Sequence, residues 1–236
     1  MKRISKEILE IVGFENTFPG DYVQKDVVLR DGRNAIVWVH KQTGHGILDS
    51  QFWETPDFYD RRYRNEYGSE IGKRFEPSDY LQIYNGLNEK QFNAFCVYLS
   101  EKTKFLEIGS SFGGILNKAI NAGVSTCHGV EPNKKDAAFI QNNIKHAKIY
   151  NSTFEKVSLP NDFYDVVVSI EVLEHTVSPS SFLHKCFSIM SSNGFLHIEV
   201  PNHYDVLLSE YKDTGYDMFY YHKAHIHYFT QDSLLE

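Results

Sequence analysis

Cysteine is scarce. Cys96, Cys127 and Cys186 lie far apart in a chain of 236 residues and follow no Cys-x-x-Cys spacing. This excludes a disulfide framework and a cysteine zinc site, and a reducing cytosol is the expected location. Long apolar runs are lacking too. No stretch approaches bilayer-spanning length, so no membrane partner is expected. Met1–Glu10 is amphipathic and charged, without the apolar core of a secretory signal. There is no basic excess: 31 acidic against 24 basic residues leave a net charge of −7. A broad basic face for nucleic acid is therefore not expected, whereas a small-molecule enzyme is compatible. Internal repeats and low-complexity segments are absent.

What is present suits one large domain, or a domain plus a small module. The hydrophobic fraction of 42% supports a sizeable core, and much of the 14% aromatic content falls before residue 100. The most telling stretch is Phe105-Leu106-Glu107-Ile108-Gly109-Ser110-Ser111-Phe112-Gly113-Gly114. It reads as a buried strand ending on a glycine-rich turn that opens a helix. Small residues let a backbone approach a ligand, and a helix start supplies free N–H groups. Glu107 precedes the turn. Glu131 closes the next apolar run, about 20 residues on, where a nucleotide-binding βαβ unit holds a ribose diol. An adenosine-containing ligand is predicted.

The rest of the pattern alternates. Strands are predicted at 105–108, 125–130, 148–150, 165–170 and 195–200. Helices are predicted at 88–101, 114–122, 134–146 and 179–190, the last with Ser178 as N-cap and Pro179 at its first position. Continuous apolar strands between helices imply an α/β fold with a parallel sheet covered on both faces. Ligands of such sheets bind at the carboxyl ends of the strands. Before this lies a helix over 1–12, then strands at 26–29 and 34–40 flanking the hairpin signal Asp31-Gly32. An aromatic helix follows, with Thr55 as N-cap, Pro56 at its start, and Arg61, Arg62 and Arg64 on it. It could pack Phe58 and Tyr59 onto the domain, serve as a lid, or bind a substrate phosphate.

Glu171, Glu174 and His175 are spaced i, i+3, i+4, so a helical turn puts all three on one face. That spacing suits a solvated helix start and a cation site alike. His222, His225 and His227 form a second histidine cluster, suited to general-base work.

Together, Glu107-x-Gly109, Glu131-Pro132, Phe163-Tyr164-Asp165-Val166-Val167 and Glu171-Val172-Leu173-Glu174-His175 resemble the class I S-adenosylmethionine-dependent methyltransferases. The similarity covers about 88–236 and is nearest to the ubiquinone-biosynthesis O-methyltransferase-like branch, which includes sugar and natural-product enzymes. It implies a Rossmann-like domain with S-adenosylmethionine held by Glu107, Gly109, Ser111, Gly113, Glu131, Pro132, Thr153, Phe154, Ile170 and Glu171. Glu107 and Gly109 would line the methionine end, and Glu131 would take the ribose hydroxyls. Thr153 and Phe154 would read the adenine, with Thr153 replacing the usual acid. Ser111 stands where the family has its second glycine.

The Glu-x-x-Glu-His string also resembles the small-RNA 3′-terminal 2′-O-methyltransferases. That likeness implies a divalent cation (Mg, Mn or Zn) on Glu171, Glu174, His175 and His227. His175, His225 and His227 are the candidate catalytic residues for removing the acceptor proton. The family's last two strands are apparently missing, which implies a truncated chain or sheet edges supplied by the N-terminal hairpin. The expected division is 1–87, a small α+β module of hairpin and aromatic-helix cap, and 88–236, the methyltransferase domain. Related enzymes carry a cysteine zinc module before the aromatic helix; here His40 and His45 alone imply a metal-free hairpin.

The expected reaction is methyl transfer to a hydroxyl of a saccharide or nucleotide sugar. Carbon methylation of a nucleotide sugar is the nearest rival. An NAD-dependent oxidoreductase would want glycine at 111, an apolar residue at 107 and a Tyr-x-x-x-Lys pair, and has none of these. A non-catalytic cofactor-binding subunit is a further alternative.

Overall fold

The computed structural model of the chain describes residues 3–54, 58, 76–211, 215–216 and 220–235. Thr55, Pro56, Tyr59, Arg61, Arg62 and Arg64, the body of the expected aromatic helix, lie outside them.

The described strands are β1 Tyr22–Val28, β2 Asn34–His40, β3 Gly46–Leu48, β4 Lys104–Ile108, β5 Thr126–Val130, β6 Ala147–Tyr150, β7 Tyr164–Ile170, β8 Met190–Glu199 and β9 His227–Tyr228. The helices are α1 Lys6–Ile11, α2 Pro77–Ile83, α3 Asn85–Asn93, α4 Gly114–Asn121, α5 Lys134–Asn143, α6 Pro179–Ile189, α7 Val206–Ser209 and α8 Gln231–Leu235. Contacts gather the chain into two compact units: Thr55–Ile170 with His184–Ile198, and Met1–Glu54 with Glu171–Leu183 and Glu199–Glu236.

The first unit carries the expected parallel sheet, in the order β6-β5-β4-β7-β8. Phe105 pairs with Cys127 on one side and Val166 on the other, both in parallel register. The central strands are apolar on both faces because helices cover both. Phe105, Leu106, Val167 and Val168 are fully buried, each burial stabilising by about 2 kcal/mol. Ile115, Leu116 and Ala119 form the buried face of α4. Asn133 caps α5, its side chain accepting from the Lys135 and Asp136 N–H groups.

β8 starts at Met190, earlier than expected. Its opening Ser191-Ser192-Asn193-Gly194 is turn-like in composition, and a Cβ on Gly194 would lie 3.0 Å from Ser191 O, so the chain is folded tightly there. The expected helix over 88–101 is instead α3, which ends at Asn93, followed by a 3-10 turn at Cys96–Tyr98.

The second unit is built on an antiparallel sheet, β1-β2-β3-β9. Asp31-Gly32 makes the hairpin turn: Gly32 takes φ 83°, and the Asp31 carboxylate receives the Arg33 guanidinium at 2.7 Å. Gly46 of β3 pairs with Tyr228 of β9. The hairpin therefore completes its sheet with a strand from the far end of the chain and adds no edge to the parallel sheet. Val37, Leu48, Tyr221 and Tyr228 fill one core beneath it. Leu9 from α1, Trp38 and Ile47 fill another. Ser178 caps α6 as expected, its hydroxyl accepting from the Ser181 N–H at 3.3 Å. No helix of the described residues is long and apolar enough to cross a membrane.

Candidate functional site

In the first unit, the turn after β4 folds around its glycines. Gly109 (φ 77°) and Ser110 both donate to Val130 O, at 2.9 and 3.1 Å. Gly113 (φ 78°) precedes α4, and a Cβ there would lie 2.4 Å from Ile144 Cδ1. Ser111, at the family's second glycine, holds a left-handed φ of 49°. This is the conformation that glycine tolerates at no cost. Phe112 lies under the Tyr80 ring of α2, centroids 4.4 Å apart.

Glu131, just past β5, is buried. One carboxylate oxygen accepts from the Ser111 N–H and the other from the Asn133 N–H, each at 2.7 Å. These two bonds fix the carboxylate in place. Asn151 Nδ2 donates to the carbonyls of Glu131 and Pro132, at 2.9 and 3.0 Å.

Glu107 is buried, and its Oε2 has no hydrogen-bond partner among the described residues. Burial pushes its carboxyl well above the usual range, a Leu116 main-chain hydrogen bond opposes this, and the nearby Glu131 charge adds to it. A buried carboxyl with an unsatisfied oxygen is well suited to a cationic group. Thr153 and Phe154 follow β6; Phe154 is buried, and Thr153 O accepts from Lys156 and Val157 N–H. Ile170 closes β7 and packs on the core of this unit. Asn151 and Lys185, which hold the 151–157 turn, carry no motif signal and are missed by sequence reasoning.

In the second unit, the Glu171–His175 string does not form the expected helical face. Glu171 adopts φ 54° and donates its N–H to Glu199 O, and only Leu173–His175 makes a 3-10 turn. Glu171 is thereby exposed, while Glu174 is buried. Partial burial and the Glu199 carboxylate raise the Glu171 carboxyl to about 7, though its exposed surface lets water screen part of that effect.

Neither Glu174 oxygen has a hydrogen-bond partner among the described residues. Burial, and then the Glu171 charge, hold its carboxyl well above normal. His175 and His225 bring their Nε2 atoms to 3.8 and 3.7 Å from Glu174 Oε1. One donor atom from each of Glu174, His175 and His225 lies within 4.8 Å of the others. His175 Nδ1 faces Ala224 O at 2.8 Å. A carbonyl can only accept, so that nitrogen carries the proton and Nε2 keeps its lone pair, the tautomer a metal ligand requires. Burial lowers His175 to about 4 and puts His225 well below its ordinary value, the neighbouring His222 and His175 adding to the shift at His225. The pair is therefore neutral near pH 7.

The structure separates His227 from this group. Its Nε2 faces Val177 O at 3.2 Å, and its Nδ1 faces His45 Nε2 at 3.0 Å. Both ring nitrogens are thus committed. The residue that converges on Glu174 is His225, two positions earlier, on the turn where its N–H donates to His222 O.

Comparison with known proteins agrees with these observations. The sequence profile of a family described as a methyltransferase domain matches residues 64–236. A ubiquinone biosynthesis O-methyltransferase of Parvibaculum lavamentivorans is 28% identical over 106 residues, covering 43% of this chain and 42% of that one. The chain thus spans about two-fifths of that relative's length. Among solved structures, an S-adenosylmethionine-dependent methyltransferase from Archaeoglobus fulgidus superposes with a TM-score of 0.50. It is 22% identical and covers 64% of this chain and 65% of that one. The sheet order and the matched family profile indicate a class I S-adenosylmethionine-dependent methyltransferase fold. The chain belongs to the methyltransferase-domain family.

Proposed function

We propose that this chain transfers a methyl group from S-adenosylmethionine to a hydroxyl of a small molecule, a saccharide or nucleotide sugar. The observation that carries the donor assignment is Glu107: a buried carboxyl with an unpartnered oxygen. S-adenosylmethionine brings an ammonium to that carboxyl and a ribose diol to Glu131. Gly109, Ser111 and Gly113 leave the backbone open to the donor, and Pro132, Thr153, Phe154 and Ile170 complete its surroundings.

The methyl carbon leaves the sulfonium and bonds to the acceptor oxygen, whose proton must depart. Where no cation is bound, neutral His175 and His225 are the bases we propose for it. The similar Parvibaculum protein is named for oxygen methylation, which favours a hydroxyl acceptor over carbon. Glu174, His175 and His225 also suit a divalent cation. Two imidazoles and one carboxylate favour a borderline ion such as Zn²⁺ or Mn²⁺ over Mg²⁺, which prefers all-oxygen sites. A bound cation would lower the pKa of the acceptor hydroxyl. Glu171 is exposed and His227 is committed to other partners, so neither belongs to the ligand set we propose.

Thermal shift tests the donor: S-adenosylhomocysteine should raise Tm and NAD⁺ should not, and the reverse pattern would sink the reading. For the cation, Zn²⁺ and Mn²⁺ should raise the Tm of wild type, and EDTA should reverse this. Glu174→Gln removes an uncompensated buried acid, so it should raise Tm without metal while abolishing the metal response. A metal response that survives Glu174→Gln would place the ion elsewhere.

A further inference from the structure

Lys185 lies in α6, partly buried. Its Nζ donates to three carbonyls of one turn: Phe154 O at 2.6 Å, Glu155 O at 3.2 Å and Val157 O at 2.6 Å. An ammonium has three protons, and this turn accepts all of them. The same nitrogen lies 5.0 Å from the centroid of the Phe154 ring, within cation–π range. Residues 151–157 contain neither helix nor strand, so their shape depends on such bonds. Asn151 ties one end to Glu131 and Pro132, and Lys185 gathers the other end. Few surface lysines are used this way; most leave the ammonium in water.

A base whose ribose is held by Glu131 belongs beside the carboxyl end of the next strand, β6, where this turn begins. We propose that Lys185 is a positioning residue: it fixes the 153–157 turn in the shape that reads the adenine of the donor, and so sets base selectivity without touching the base. The proposal rests on the cofactor reading above.

The test is calorimetric titration with S-adenosylhomocysteine and with its analogue bearing hypoxanthine in place of adenine. Wild type, Lys185→Arg and Lys185→Met are compared below their melting temperatures. Wild type should prefer adenine. Lys185→Met should weaken S-adenosylhomocysteine about tenfold, and the analogue much less, so that the preference narrows. Lys185→Arg, which can still donate to several carbonyls, should restore most of it.

A folded Lys185→Met that binds both ligands as wild type does, or loses both equally, overturns the proposal, because a merely structural lysine gives no base-dependent change. Should Lys185→Met not fold, Lys185→Gln, an amide with two donors, is judged by the same criteria. If wild type itself fails to bind S-adenosylhomocysteine, the cofactor reading falls first and this proposal with it.

Discussion

The main-chain N–H of Ser111 donates to Glu131 Oε2 at 2.7 Å, joining the glycine turn after β4 to the acid at the end of β5. The acid therefore shapes the turn, and it is the residue we propose for the ribose of the donor. Glu131→Ala should weaken S-adenosylhomocysteine binding by about 10–100-fold, the loss of one or two charged hydrogen bonds. It should also lower stability by about 1–3 kcal/mol, since Ser111 and Asn133 lose their acceptor. Calorimetric titration and urea melts read the two effects separately.

Ser111→Gly is the complementary change. The φ of 49° is strained for serine and free for glycine. The substitution should raise stability by about 0.5–1 kcal/mol and leave the N–H bond to Glu131 in place. Denaturant midpoints at constant m-value check this.

Glu107 should make donor binding depend on pH. Its carboxyl is raised well above 4.5 by burial, so the free protein keeps a proton that an ammonium ligand must displace. Affinity for S-adenosylhomocysteine should therefore rise with pH until the raised value is passed, with proton release visible as a buffer-dependent heat. The stability of the free protein runs the other way. The unfolded carboxyl ionises near 4.5, so this group's contribution is full below that pH and is lost as pH climbs through the folded value. Glu107→Gln should flatten both dependences.

His203 acts with the opposite sign. It is buried, with Nδ1 on Gly44 O at 2.9 Å and Nε2 on the Tyr221 hydroxyl at 3.1 Å. Burial lowers it to about 4 from 6.5. The unfolded chain takes up the proton first, so stability present above pH 6.5 is lost as pH falls toward 4, on the order of 3 kcal/mol from this residue. Melts across that window should show the loss, and His203→Asn should shrink it.

The parallel half of this fold is legible because its signals are local and agree with one another. Val166-Val167-Val168 suits a strand buried on both faces, and Glu107 stands two residues before the glycine that marks the turn. The Glu171–His175 string misleads for a sharper reason. One residue in the left-handed region, Glu171, breaks the helical register, so a spacing rule that assumes a helix misplaces its first carboxylate. The choice between His225 and His227 depends on β9 pairing with β3, a partner far off in sequence. Lys185 and Asn151 act on main-chain carbonyls, which leave no trace in residue types.

The bond between β3 and β9 also has a consequence for the order of assembly. His45 and His227 are 182 positions apart, and the antiparallel sheet is complete only when the second reaches the first. Closing so long a loop costs entropy before any contact repays it, whereas most of the parallel sheet is drawn from one continuous run, 104–170. During synthesis the parallel sheet can begin to pair early. The hairpin, made before β9, must wait with an open edge until His227 and Tyr228 have been synthesised.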